Sequence, residues 1–399
     1  MLRFVAPAGA PLEVSQILHS LRLAFFQNGV TEECRRALSS RLQARHVLGA
    51  SSGRAALSLI LKSLHRLRPA RDIVILPAYT CFTVAASVVR AGLKIHPVDI
   101  NPETLDFEPA QLEALPRERL LCLVTSNLFG LVNDVSKLRE IARAMDAFLV
   151  DDAAQALGAS RDGHPAGMLG DVGFFSFGRG KALATMEGAI MVTNCEEIAS
   201  MVQSLEKDLP VPGAGHSAWL VCQMLVYAVF LNPRLYWLPN SLPFLKLGIT
   251  EFAPDYPAFR LPRVVHGLLL QLMDRLQEMN RIRRENAAAL AAALQSSSQF
   301  TVPRPGADCQ PNYVRFPLLA QDEATRDRAV KLLRAAGIGA SAFYPSAICD
   351  IKGIEPHMAT RDYHRPQAES LSRRLLTLPT HPLVSRQDLK AMASILKNL

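Results

Sequence analysis

Short β-rich runs alternate with helical stretches through the first two-thirds of this 399-residue chain. That alternation narrows the possible folds more than any other feature. "DIVILPAY" at 72–79 is followed by a helical "CFTVAASVVRAG", then by "KIHPVDI", "RLLCLVTSNLFG", the helical "DVSKLREIARAMDA" and "FLVDDAAQ". Later, "DVGFFSFG" and "GAIMVTN" read as two more strands. Strand and helix in turn make βαβ units, which predicts an α/β fold with a mostly parallel central sheet and helices on both faces. From Arg263 the pattern changes: "RVVHGLLLQLMDRLQEMNRIRRENAAALAAAL" keeps helical spacing throughout. We expect a long helix over about 263–295, joining a large domain of residues 1–275 to a smaller C-terminal α+β domain of residues 276–399.

Composition removes some classes of function. The formal charge of +8 suits anionic ligands or an anionic surface. No Lys/Arg block with interleaved aromatics is present, so no nucleic-acid partner is expected. The seven cysteines are scattered and include no Cys-x-x-Cys pair, which argues for reduced thiols and against a disulfide framework or a metal site. The first residues lack the basic-then-apolar layout of a signal peptide, so the expected location is cytoplasmic. One apolar run, "AWLVCQMLVYAVFL" at 218–231, lies in an apolar insertion of about 208–257. It is shorter than the roughly 20 residues a spanning helix needs. A core or subunit-interface helix is the simple reading, and a peripheral membrane contact through 218–231 is the sharper one.

Ligands of parallel sheets bind at the carboxyl ends of strands, so chemistry is sought where strand runs stop. In "FFSFGRGKALATMEGAIMVT", residues 174–193, Lys181 sits among small residues between two apolar runs. It could be a phosphate clamp, a covalent amine or a surface lysine. A P-loop needs a glycine where Phe175 stands and a hydroxyl residue where Ala182 stands, so that reading fails. Asp151 and Asp152 end another strand run, with Gln155 just beyond. A buried aspartate needs a cationic partner, and the protonated pyridine nitrogen of pyridoxal phosphate is one. Ser51, Ser52 and Gly53 precede a helix whose free N–H groups suit a phosphate, and Ser176 adds a hydroxyl near Lys181. Singly, each is more commonly a cap, a turn or a surface charge.

Taken together and in order, these residues resemble the DegT/StrS family of pyridoxal-phosphate-dependent sugar aminotransferases. "SSGRAAL", "ILPAYTCFTVAASVVRAGLKIHPVDINPETLDF", "LFGLVNDVSKLREIA", "VDDAAQALGA", "GDVGFFSFGRGKALATMEGA", "GIGASAFYP" and "LLTLPTHPLVSRQDL" carry the resemblance across most of the chain. It implies the aspartate aminotransferase (type I) fold, a homodimer with shared active sites and pyridoxal 5'-phosphate as cofactor. By the same resemblance, Lys181 matches the lysine that bonds the cofactor and Asp152 the partner of its ring nitrogen. Gln155 falls near the ring's phenolic oxygen. Ser52, Gly53, Arg54 and Ser176 fall around the phosphate, and Cys81 over the ring. Arg179, Arg260 and Tyr344 are candidates for the substrate. Glu187 and His381 read as structural residues.

This chain departs from the family pattern at four places. Arg54 stands for threonine. Cys81 replaces an aromatic, with Tyr79 or Phe82 as substitutes. Asn127 replaces histidine, and Ala258 replaces asparagine two residues before Arg260. The implied reaction moves an amino group from glutamate to a nucleotide-linked keto-sugar for amino-sugar or polysaccharide biosynthesis. Its rivals are an aminotransferase of a cyclitol or other ketone, a sugar dehydratase on the same scaffold, and an inactive scaffold in a polysaccharide-assembly complex. The dehydratase branch has histidine where this chain has Lys181.

Overall fold

The computed structural model describes residues 3–113, 117–242, 245, 248, 250–306, 308–361 and 364–399. Its strands are β1 (His46–Ala50), β2 (Ile73–Pro77), β3 (Lys94–Val98), β4 (Leu120–Val124), β5 (Phe148–Asp152), β6 (Ser160–Arg161) and β7 (His164–Pro165). β8 (Val172–Ser176), β9 (Ala189–Thr193), β10 (Phe300–Thr301), β11 (Cys309–Gln310), β12 (Phe316–Ala320) and β13 (Leu375–Leu378) follow. Seven of them form one sheet in the order β1-β9-β8-β5-β4-β2-β3. Only β9 runs against the rest. The sheet is therefore mostly parallel, as the alternation implies. Its central strands are buried along their whole length, which is why "IVILP" and "LLCLV" read as continuous apolar runs without period-two alternation.

Helices cover both faces. α1 (Val14–Phe26) and α2 (Val30–Leu42) contribute Ile17, Cys34 and Leu38 to the core on one side. α3 (Gly53–Leu67) and α4 (Phe82–Arg90) bury Leu57, Ile60, Leu61, Val84 and Val88 on the other. α5 (Pro109–Glu113) is short, and α6 (Val135–Ala144) joins the first face through Val135 and Leu138. α7 (Glu196–Asp208) joins the second through Ile198 and Val202. The apolar run forms α8 (Ala214–Phe230), followed by the short α9 (Trp237–Asn240).

The long helix is α10 (Arg263–Leu294). Its first half packs Val264, Leu268 and Leu272 into the large core. Its last turns send Ala287, Leu290 and Leu294 into a second core around the antiparallel sheet β10-β12-β13. α11 (Glu323–Ala335), α12 (Pro366–Arg374) and α13 (Arg386–Lys397) cover that sheet. One feature was not legible in the sequence: the start of the chain belongs to the small unit. Val5 N–H donates to Gly337 O at 2.8 Å, Gly339 N–H donates to Val5 O at 2.9 Å, and Arg3 pairs with Asp388.

The glycine at 173 in β8 is required by a close backbone approach. A Cβ there would lie 2.0 Å from Gly167 O. Gly167 in turn donates its N–H to Asp151 at the end of β5. Gly173→Ala is expected to push this turn outward and to lose about 3 kcal/mol of stability. The check is a clear fall in melting temperature, against no fall for Gly215→Ala, whose helical site in α8 is open and has an ordinary backbone conformation.

Candidate active site

The carboxyl ends of β2, β4, β5 and β8 and the start of α3 converge on one cavity of about 720 Å³. Ser52, Gly53, Arg54, Cys81, Asp152, Gln155, Ser176, Arg179, Lys181 and Tyr344 all line it. Arg260 does not. Its guanidinium donates to Leu209 O at 3.2 Å and to Lys207 O, pinning the end of α7.

Asp151 and Asp152 are neighbours on one strand, so their side chains face opposite sides of the sheet. Asp151 is fully buried and accepts from Asn127 Nδ2 (2.7 Å), Gly167 N (2.7 Å), Leu169 N (3.1 Å) and Thr125 Oγ1 (3.3 Å). It is a structural anchor. Asn127 also donates to Asp152 O and accepts from Asn133 N, so this departure from the family pattern ties the two strand ends together. Asp152 faces the cavity. Its carboxylate accepts one hydrogen bond, from Ala154 N at 2.9 Å. Burial raises its pKa to about 6, while that bond and the nearby charge of Lys181 pull it down.

Lys181 lies in the loop between β8 and β9. Burial lowers its pKa, the fields of Cys81 and Asp152 raise it, and that of Arg315 lowers it further. Two residues that sequence reading missed shape this loop. Arg283, fully buried on α10, donates to Ala182 O (2.9 Å), Gly9 O (3.2 Å) and Asn280 Oδ1 (2.7 Å). A charged residue on the apolar stripe of the long helix was the available signal. Arg315 precedes β12 and lines the same cavity. Its Nη1 donates to Ser341 Oγ (3.2 Å) and Thr377 Oγ1 (3.4 Å), and its Cζ lies 5.1 Å from the Phe343 ring. It makes no ion pair among the described residues, and burial lowers its pKa to about 10.

Ser52 caps α3, accepting from Ala55 N at 3.3 Å. A Cβ at Gly53 would sit 3.0 Å from Ser176 Cβ and 3.1 Å from its Oγ. The bare glycine thus leaves the first N–H groups of α3 and the Ser176 hydroxyl around one small space. Arg54 turns its guanidinium onto Tyr256, 4.5 Å from the ring centroid, a ring it shares with Arg90 at 4.2 Å. Cys81 itself faces the cavity. The Tyr79 hydroxyl is tied to the backbone of Tyr344, Phe82 stacks on the Tyr344 ring, and neither lines the space. Gln155 donates to Tyr344 Oη at 3.3 Å and accepts from Phe129 N at 3.2 Å. Glu187 holds His216 of α8 at 2.8 Å, and His381 is buried with Nε2 2.9 Å from Ala6 O. Both are structural contacts.

These residues fit pyridoxal phosphate. The Gly53–Ser176 cradle suits its phosphate, and the Asp152 carboxylate, with a single backbone donor, has room for a protonated ring nitrogen. Lys181 stands in the same cavity.

Known proteins are similar to this chain in sequence and in fold. The model of the DegT/DnrJ/EryC1/StrS aminotransferase family matches residues 12–212 and 258–397. The chain is 28% identical over 375 residues to GDP-perosamine synthase of Caulobacter vibrioides, covering 91% of this chain and 88% of that one. It is 27% identical over 414 residues to an L-glutamine:2-deoxy-scyllo-inosose aminotransferase of Streptomyces lividus, covering 96% and 89%. The structure of Helicobacter pylori PseC, an aminotransferase of pseudoaminic acid biosynthesis, superposes with a TM-score of 0.80 at 17% identity, covering 99% and 98%.

The folded-state pKa of Asp152, about 6, lies above the usual 3.8. The folded chain therefore holds this proton more tightly, and Asp152 withdraws stability as pH rises from about 4 to 6. The cost is on the order of 3 kcal/mol above that range. In cofactor-free protein, Asp152→Asn should match wild type near pH 4 and melt higher at pH 7. Thermal melts across that range check it, and parallel curves for the two proteins would refute it.

Proposed function

The chain belongs to the DegT/DnrJ/EryC1/StrS aminotransferase family, and from that premise we propose that it transfers an amino group from glutamate to the ketone of a nucleotide-linked sugar. The observation that carries this reading is the meeting of Lys181, Asp152, Gly53 and Ser176 in one cavity, with lysine, not histidine, in the loop. A cyclitol ketone is the second reading, favoured by the full-length similarity to the Streptomyces lividus enzyme.

Pyridoxal phosphate, when bound, supplies the electron sink for the carbon–hydrogen bond broken in amino transfer. Ser52, Gly53 and Ser176 would hold its phosphate, and Asp152 its ring nitrogen. Lys181 takes the proton from the donor's α-carbon at Nζ and later returns one to the acceptor carbon. Its burial favours the neutral amine this role needs. Gln155 and Tyr344, joined by a hydrogen bond, fix the wall beside them. Arg315 answers the donor's α-carboxylate, which lies one bond from the reacting carbon and so must sit close to Lys181. A planar guanidinium without a carboxylate partner suits that group.

A homodimer is supported by Phe25 and Phe26 at the end of α1, which are 77% and 85% exposed in the single chain. The described cysteines form no disulfide, which suits a reducing, cytoplasmic setting. No described helix is long and apolar enough to cross a membrane.

Protein reconstituted with pyridoxal phosphate should absorb in the visible and be bleached by glutamate. Lys181→Ala should lose the bleaching. Protein that takes up no cofactor would refute the proposal. Arg315→Gln should still take up cofactor but require roughly tenfold to a hundredfold more glutamate for the same bleaching. An unchanged glutamate requirement would remove Arg315 from donor binding.

A further inference from the structure

Residues 213–257 fall outside the family match and contain α8, a seventeen-residue helix without a single Asp, Glu, Lys or Arg. At about 100° per residue, Leu220, Val221, Met224, Leu225 and Ala228 share one face, and these pack on the large core. Trp219, Cys222, Gln223, Val226 and Phe230 share the opposite face, and all five line the cavity that holds Lys181. From Trp219 to Phe230 this stripe runs about 16 Å along the helix axis. Gln223 is its only strongly polar member. The polar groups that hold cofactor and donor lie on the sheet side, so α8 offers them nothing. His216 of α8, bound to Glu187 in the Lys181 loop, sets the helix against the site.

We infer that the α8 stripe is an acceptor subsite, and that the ketone this enzyme aminates carries a hydrocarbon substituent lying along Trp219, Val226 and Phe230. The continuity of the stripe with the reacting centre favours a substrate group over a second copy of the chain. Trp219, Val226 and Phe230 line the same cavity as Lys181. The inference rests on the aminotransferase reading, naming the chemistry of its acceptor.

The test uses holoenzyme carrying Trp237→Phe, which leaves Trp219 as the only tryptophan. Methyl, hexyl, octyl and decyl β-glucosides, held below their micelle concentrations, are titrated while Trp219 fluorescence is read. Affinity should rise up to about fourfold per added methylene, with no response to methyl β-glucoside. Val226→Asp should abolish the chain-length dependence and Val226→Leu should keep it. Affinity that is flat with chain length, or unchanged in Val226→Asp, overturns the inference. So does a dimer in which Trp219 is shielded from acrylamide and binds no alkyl glucoside. Flotation with phosphatidylglycerol vesicles without binding of monomeric glucosides also overturns it, in favour of a membrane surface. Bleaching by glutamate is recorded on the same sample. Bleaching without chain binding refutes this inference alone, whereas protein that takes up no cofactor refutes the underlying reading.

Discussion

Everything at this site depends on charge held out of water. Asp152, Lys181 and Arg315 share one cavity, and each has its pKa driven by burial toward the neutral form. A chain selected for stability alone would pair these groups or replace them with apolar residues. Here each keeps capacity for a partner the protein does not itself supply. The carboxylate accepts one backbone N–H, and the guanidinium leans on two hydroxyls. The cost is tolerable because the scaffold beneath is rigid. Asp151 gathers four donors at the end of β5, and Asn127 straps that strand end to its neighbour.

The long helix α10 does two jobs with one surface. Its apolar stripe feeds both cores, which couples the small unit to the sheet. Arg283, on the same stripe, donates to the carbonyl next to Lys181 and to the N-terminal segment at Gly9. The Lys181 loop is thereby referenced to an element that spans the molecule, and the chain's first residues are clamped between the two units. Such a reference restricts the position of Lys181 at little entropic cost, because the helix is already ordered by packing.

Residues 213–257 are the internal segment that the family match leaves out. A charge-free helix cannot be left wholly in water, and α8 solves half of that problem by packing one face on the core. Its other face lines the cavity that contains Lys181. The Glu187–His216 contact makes the insertion part of the site's architecture, since the same loop carries Lys181.

Much of this was legible in the residues. The βαβ alternation predicts the sheet because buried parallel strands need continuous apolar runs, and β2 and β4 are built that way. Strand ends are where ligands sit, and that rule alone singles out Asp152, Ser176 and Lys181 in the sequence. Their partners were not legible, because they lie far away along the chain. Neither Arg283 nor Arg315 is singled out in the sequence, and Arg260 reads as a substrate candidate, whereas packing places the first two in and around the cavity and the third outside it. By itself, local sequence determined which segments become strands and helices and which residue types could do chemistry, since propensity, capping and periodicity act over a few neighbours. Only the tertiary structure decided which charges are stripped of water together and which face of α8 meets the site, because burial and proximity are set by contacts between segments from about thirty to well over a hundred residues apart.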